Sequence, residues 1–188
     1  MATAGSKASQ KEGMQTTDQA FRSLVRASLL VRRIMQPYFA RFGLSGSQWG
    51  VLRSLHRAEL EGMRGVRLTD LGNRLLVRPP SVTAIVERLC RTGLIRREVA
   101  PTDLRVKLVT LTPAGRKLVK RVLKGHSAHI AAVMDILPPD EQKSLLRILT
   151  RLSDHLTELV ERGGQDGGDG GIEDTDTTEL NEAMRSVK

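Results

Sequence analysis

The chain has 188 residues, a formal net charge of +9 and only five aromatic side chains, so a folded core has to be built mainly from Leu, Ile and Val. A single cysteine, Cys90, excludes an intrachain disulfide framework and suits a reducing compartment. No apolar run reaches the roughly 18 residues of a membrane-spanning helix, and the polar start "MATAGSKASQKEGMQTT" lacks a secretory core, so a cytoplasmic protein is expected.

In chain order, residues 1–17 read as a disordered arm. A first helix is expected over 18–42, with Phe21, Leu24, Val25, Val31, Met35 and Phe39 at helical spacing, Pro37 kinking or tightening its last turns and Gly43 ending it. "LSGSQWGVLRSL" starts a second helix, with Ser45 and Gln48 at capping-box spacing and Trp49, Leu52 and Leu55 as its buried stripe. "AELEGMRGVR" reads as a Gly-punctuated connection and "LTDLGNRLL" as a short third helix. A fourth follows in "RPPSVTAIVERLCR", with Val82, Ile85, Val86 and Leu89 on one face and Gly93 as its stop. "LIRREVAPTDLRVKLVTLT" reads as a β-hairpin turning at Ala100–Asp103. Thr112-Pro113 caps a fifth helix to about Ile136, and Pro138-Pro139-Asp140 starts a sixth that ends near Arg162. Residues 163–188 read as an acidic, Gly/Asp-rich disordered tail. That tail holds seven acidic and two basic residues, so the rest of the chain carries +14 and points to a polyanionic partner.

Helix, turn, helix and hairpin in this order predict a mainly α fold with a small β wing: a winged helix-turn-helix over 44–112, flanked by helical regions 18–42 and 113–162. In that arrangement the second helix of the motif enters the major groove of DNA with its N-terminal residues nearest the bases. Pro79 and Pro80 preset the first helical turn without losing a needed hydrogen bond. Ser81 and Thr83 supply short donors and acceptors for base edges or phosphates, and Arg78 can reach guanine or phosphate. A Pro-Pro pair alone merely starts a helix; the hairpin gives it meaning. Arg105 at the hairpin tip suits a narrow minor groove, with Asp103 orienting it through a charge-assisted bond. Arg96, Arg97 and Lys107 flank it as candidate phosphate contacts.

The stretches "GLSGSQWGVL", "LTDLGNRLLVRPPSVTAIVERL" and "GLIRREVAPTDLRVKLVTLTPAG" resemble the MarR family of bacterial transcription regulators. The resemblance runs from Phe21 to Val160 and is most specific at the wing, in Asp103, Arg105, Leu111-Thr112 and Gly115; it departs from the family pattern at Gly72 and Leu76. It implies a homodimeric regulator, usually a repressor, released from a pseudo-palindromic double-stranded operator by a small aromatic acid. Periodicity agrees on the dimer: Leu145, Leu149, Leu152, Leu156 and Leu159 form a heptad seam, echoed by Leu24, Ser28, Val31, Met35 and Tyr38. Met35, Phe39, Trp49, Arg53 and His56 are the candidate lining of an effector pocket.

Three other readings are weaker. His126 and His129 stand three apart on one helix, but no carboxylate or cysteine nearby in sequence completes a metal site. Cys90, beside Arg88 and Arg91, reads as a small packed residue before a reactive thiol. No nucleophile–base pair or phosphate loop supports an enzyme, and no cofactor is expected. The alternative, a non-specific nucleic-acid-binding or chromatin-like protein, explains the charge but neither the capped recognition helix nor the Asp-x-Arg wing.

Overall fold

The computed structural model describes residues 3–75, 79–100 and 103–166, with side chains described in these apart from residues 3–12, 79, 103–105 and 164–166. Its elements are α1 (Thr3–Ala40), α2 (Gly46–Leu60), β1 (Val66–Arg67), α3 (Leu68–Leu75), α4 (Pro79–Arg91), β2 (Ile95–Ala100), β3 (Asp103–Leu111), α5 (Pro113–Met134) and α6 (Pro139–Asp166). They fall into two compact units, one reaching Val133 and the other starting at Met134.

The mainly α fold with a hairpin wing is as expected, and four boundaries need correction. Helix α1 starts at Thr3, so the stretch read as a disordered arm is helical from there. No proline interrupts it before Pro37, and the Thr17 hydroxyl donates to the Gly13 carbonyl (2.9 Å). The Gly-punctuated connection contains β1, too short to leave a periodic signal. Helix α5 stops at Met134, two residues early, and α6 runs on to Asp166. The rest of the acidic tail, 167–188, lies outside the described residues.

Local chemistry explains the helix ends. Ser45 and Gln48 form the full capping box of α2: the Ser45 hydroxyl accepts from the Gln48 N–H (3.2 Å) and the Gln48 side chain accepts from the Ser45 N–H (2.8 Å). Helices α1, α2 and α4 each close in a left-handed glycine, Gly43, Gly62 and Gly93, at φ of 70°, 80° and 69°. At all three, paired backbone bonds reach back across the turn, as in Leu94 N–H to Leu89 O (3.1 Å) with Gly93 N–H to Cys90 O (2.9 Å).

The sheet is antiparallel in the order β1-β3-β2. Ile95 pairs with Leu111, Arg97 with Val109 and Val99 with Lys107; the register then slips, so that Ala100 opposes Asp103 and residues 104–106 oppose nothing. That bulge bends the wing tip. The edge strand β2 carries Arg96, Arg97 and Glu98, charges that discourage further strand pairing. Behind the sheet lies a core of Val51, Leu52, Leu55, Leu71, Val82, Val86 and Leu89, all 2% exposed or less, joined by Val119 and Val122 of α5. Cys90 packs against it, half-buried.

One close approach locks this unit together. The Thr112 hydroxyl lies 2.7 Å from the Gly93 carbonyl oxygen and 3.1 Å from that of Leu94, and accepts from the Gly115 N–H (3.1 Å). A Cβ on Gly115 would drive into the Leu94 carbonyl oxygen, a backbone atom that cannot move alone. Gly115→Ala is therefore expected to lower unfolding free energy by about 1–3 kcal/mol, measured by denaturant titration. A variant as stable as the parent would show that the α5 start yields freely.

Candidate nucleic-acid interface

Recognition-helix chemistry is confined to the first turns of α4. Pro80 and Ser81 are exposed there, while Val82 and Val86 turn into the core and fix the helix from behind. Thr83 is half-buried and already engaged in an interaction. Arg88 and Arg91 fall in the last turn, where cations complement the helix dipole. Arg78 and the Pro79 side chain lie outside the described residues. The Asp103 and Arg105 side chains do too; their backbones belong to β3, with Arg105 in the bulged stretch.

The structure separates the three wing cations that the sequence treats alike. Arg97 and Lys107 are exposed. Arg96 is exposed as well, but its guanidinium sits 2.6 Å from the Glu98 carboxylate, two residues along the same strand face. The other Glu98 oxygen lies 3.5 Å from the Thr110 hydroxyl. Arg116, at the start of α5, meets Glu59 of α2 through both carboxylate oxygens at 2.8–3.1 Å, and those hydrogen bonds raise its pKa. The base of the wing is thus held by ion pairs, and the free cations lie further along the hairpin.

Two of the five residues read as an effector-pocket lining share one groove. Met35 and Phe39 line a groove of about 680 Å³ with Arg32, Arg33, Gln36, the Ser45–Ser47 start of α2, Gly50, Leu75 and Ile85. Trp49, Arg53 and His56 are not part of its wall. Successive α2 residues turn by about 100°, so positions 46, 47 and 50 meet the groove while 49, 53 and 56 follow a different face. Trp49 is 4% exposed, stacks on Phe39 (5.7 Å between ring centroids) and meets the His126 ring at 5.4 Å. Arg53 is exposed; His56 is half-buried, and neither its Nδ1 nor Trp49 Nε1 has a hydrogen-bond partner. Sequence reasoning missed Arg32 and Arg33, which carry no motif and matter only through their place on the groove wall.

The histidine pair also resolves. His126 is buried among Tyr38, Phe39 and Trp49, whereas His129 Nδ1 lies 3.0 Å from the Gly125 carbonyl oxygen. Among the described residues no group of three metal-ligating side chains gathers, and no helix is long and apolar enough to cross a membrane. On α6 the exposed Leu149, Leu156 and Leu159 share a stripe with the half-buried Leu145 and Leu152.

A capped recognition helix backed by a three-stranded wing defines a winged helix-turn-helix DNA-binding protein. The MarR family model matches residues 42–105, from the end of α1 through the wing tip. The HTH-type transcriptional regulator PecS of Dickeya dadantii is 30% identical over 137 residues, 71% of this chain and 80% of PecS. Sco3205, a MarR family transcriptional regulator from Streptomyces coelicolor solved in complex with DNA, aligns at a TM-score of 0.67 and 27% identity over 74% of this chain and 86% of its own. BpsR of Bordetella bronchiseptica, whose DNA binding is regulated by 6-hydroxynicotinic acid, aligns at 0.63 and 27% identity, covering 72% and 98%. The chain belongs to the MarR family and is a sequence-specific DNA-binding transcriptional regulator.

The separation of the wing cations has a measurable consequence. Arg97→Ala and Lys107→Ala are each expected to flatten the salt dependence of DNA binding by about one in the slope of log K against log salt. Arg96→Ala should change the slope clearly less, because Glu98 already neutralises it. Titrations at several salt concentrations read this directly; equal slopes for all three variants would place Arg96 on phosphate after all.

Proposed function

We propose that this chain is a homodimeric repressor that covers a pseudo-palindromic operator and leaves it when a small aromatic acid binds. The observation that carries the reading is the exposed Pro80-Ser81 turn of α4 beside the free wing cations Arg97 and Lys107, in a family with a DNA-bound relative. Within the operator, Arg78, Pro79, Pro80, Ser81 and Thr83 read the major groove. Arg105, steered by Asp103, enters the minor groove. Arg97 and Lys107 hold phosphates. Two-fold symmetry sets half-sites about one helical turn apart, roughly 10 base pairs centre to centre.

The dimer reading rests on apolar surface. Helix α6 exposes Leu146, Ile148, Leu149, Leu156, Leu159 and Val160, and α1 exposes Phe21, Leu30, Val31 and Ile34. Exposed apolar side chains gathered on a helix suit an interaction site, and the 145–159 seam of α6 has the heptad spacing that a second helix reads. Replacing both Leu149 and Leu156 with Asp is expected to give monomers by light scattering, with loss of tight operator binding. A dimer that survives this change would remove α6 from the interface.

For the effector, the reading rests on the groove beside Met35 and Phe39. Its floor is apolar, its rim carries Arg32 and Arg33, and the N-terminus of α2 opens onto it. An aromatic ring with a carboxylate suits that chemistry, and regulation of BpsR by 6-hydroxynicotinic acid supports the class. Leu75 of α3 and Ile85 of α4 line the same groove, so an occupant touches the DNA-reading helices directly. Release requires tighter binding to the DNA-incompetent form. A panel of aromatic carboxylates is expected to weaken operator binding, and Arg32→Ala with Arg33→Ala to blunt the response without lowering operator affinity. A panel without effect on the parent would exclude this effector class.

A further inference from the structure

Four of the five aromatic side chains and two of the four histidines of the chain gather at one place. Tyr38 contacts Phe39, Phe42 and both histidine rings, with centroids 5.6, 5.4, 6.2 and 4.1 Å away. His126 of α5 sits between Tyr38 and Phe39 of α1 and Trp49 of α2, 6% exposed, with no hydrogen bond from its ring. The Tyr38 hydroxyl donates to the Val122 carbonyl, one helical turn before His126, and so pins α5 to α1 beside the same ring. This cluster joins α2, the helix that backs the DNA-reading pair, to α1 and α5.

Among the described residues, the charged groups that act on His126 are basic. Helix α2 offers Arg53 and carries His56, α5 offers His129, and α1 offers the neutral phenol of Tyr38. Burial, then Arg53, then His129 hold the His126 pKa below the ordinary 6.5. An imidazolium here would have no carboxylate to pair with and would lie among apolar rings, which is costly.

We propose that the His126 packing is a proton-operated latch: neutral His126 holds α5 and α1 on α2, and its protonation loosens that contact and weakens operator binding. The sign follows from linkage. A base whose pKa is depressed in the folded state contributes stability that is fully present above its unfolded value of about 6.5 and is lost as pH falls through it toward the folded value. Simple electrostatics predict the opposite for affinity. Acidification makes a DNA-binding protein more positive and strengthens its hold on phosphate. A weakening is therefore a specific signature.

Trp49 is the sole tryptophan and touches His126, so its fluorescence reports the latch without any reference to DNA. The full-length protein is titrated from pH 7.5 to 5.5 at constant ionic strength, following Trp49 emission and binding to genomic DNA fragments that the protein itself selects. The expected result is a single emission change centred below 6.5 with at least about a fivefold loss of affinity over the same range. His126→Gln and His126→Phe should flatten both curves. His56→Gln should keep them, and His129→Gln should keep the change but move it toward higher pH, because one of the groups that lower the His126 pKa is gone. Affinity that is constant or rises on acidification overturns the proposal, as does a response that survives in both His126 variants or disappears with His129→Gln or His56→Gln. If one His126 variant fails to fold, the other and the parent emission curve still decide.

Discussion

The Thr112 hydroxyl is the point on which the DNA-binding unit turns. It lies within hydrogen-bond reach of the Gly93 and Leu94 carbonyl oxygens and accepts from the Gly115 N–H, so one side chain ties the end of α4, the base of the hairpin and the start of α5. Each neighbour is chosen to let it happen. Gly93 takes the left-handed turn that delivers the chain from α4 into β2. Gly115 leaves room for the Leu94 carbonyl. Pro113 starts α5 where no N–H is needed. With the far end of α4 held in this way, its proline-rich near end presents a fixed set of side chains, and the wing is anchored to the same block.

The charges divide by the same logic. At the base of the wing they are spent inside the molecule, in Arg96–Glu98 and in the bidentate Arg116–Glu59 pair. Exposed pairs of this kind add little stability, about 0–1 kcal/mol each, but they orient strands. Further along the hairpin Arg97 and Lys107 stay exposed, and the register slip bends the strand that carries Arg105. A basic chain thereby keeps its cations where a polyanion would lie and neutralises them where rigidity is needed.

Belonging to the MarR family accounts for the helix-turn-helix and wing but not for what surrounds them. The groove bordered by Arg32, Arg33 and the start of α2 and the cluster around His126 stand on different faces of α2. The groove touches α3 and α4 through Leu75 and Ile85, whereas the cluster meets α2, the helix behind them, through Trp49.

Much of this was legible in the sequence because it is local. Ser45 with Gln48, Gly93, and Thr112-Pro113 fix helix ends by chemistry within four residues, and Val82, Val86 and Leu89 reveal a buried face by period alone. The order of elements then gave the fold, and the resemblance of the recognition-helix and wing motifs pointed to the family. What the sequence could not decide was which face meets which. Residues 3–17 read as an arm because they lack an apolar stripe, yet α1 runs through them. Trp49, Arg53 and His56 share a helical spacing, yet only the fold shows that Trp49 packs against Phe39 and His126 while Met35 and Phe39 line a groove with other residues of α2. Arg96 and Arg97 are equivalent in a string of letters; strand alternation and a carboxylate two residues away make one a brace and leave the other exposed. His126 reads in the sequence only as half of an incomplete metal pair with His129; its burial among α1 and α2 appears only in the fold, because burial is a property of distant residues brought together and not of the residue itself.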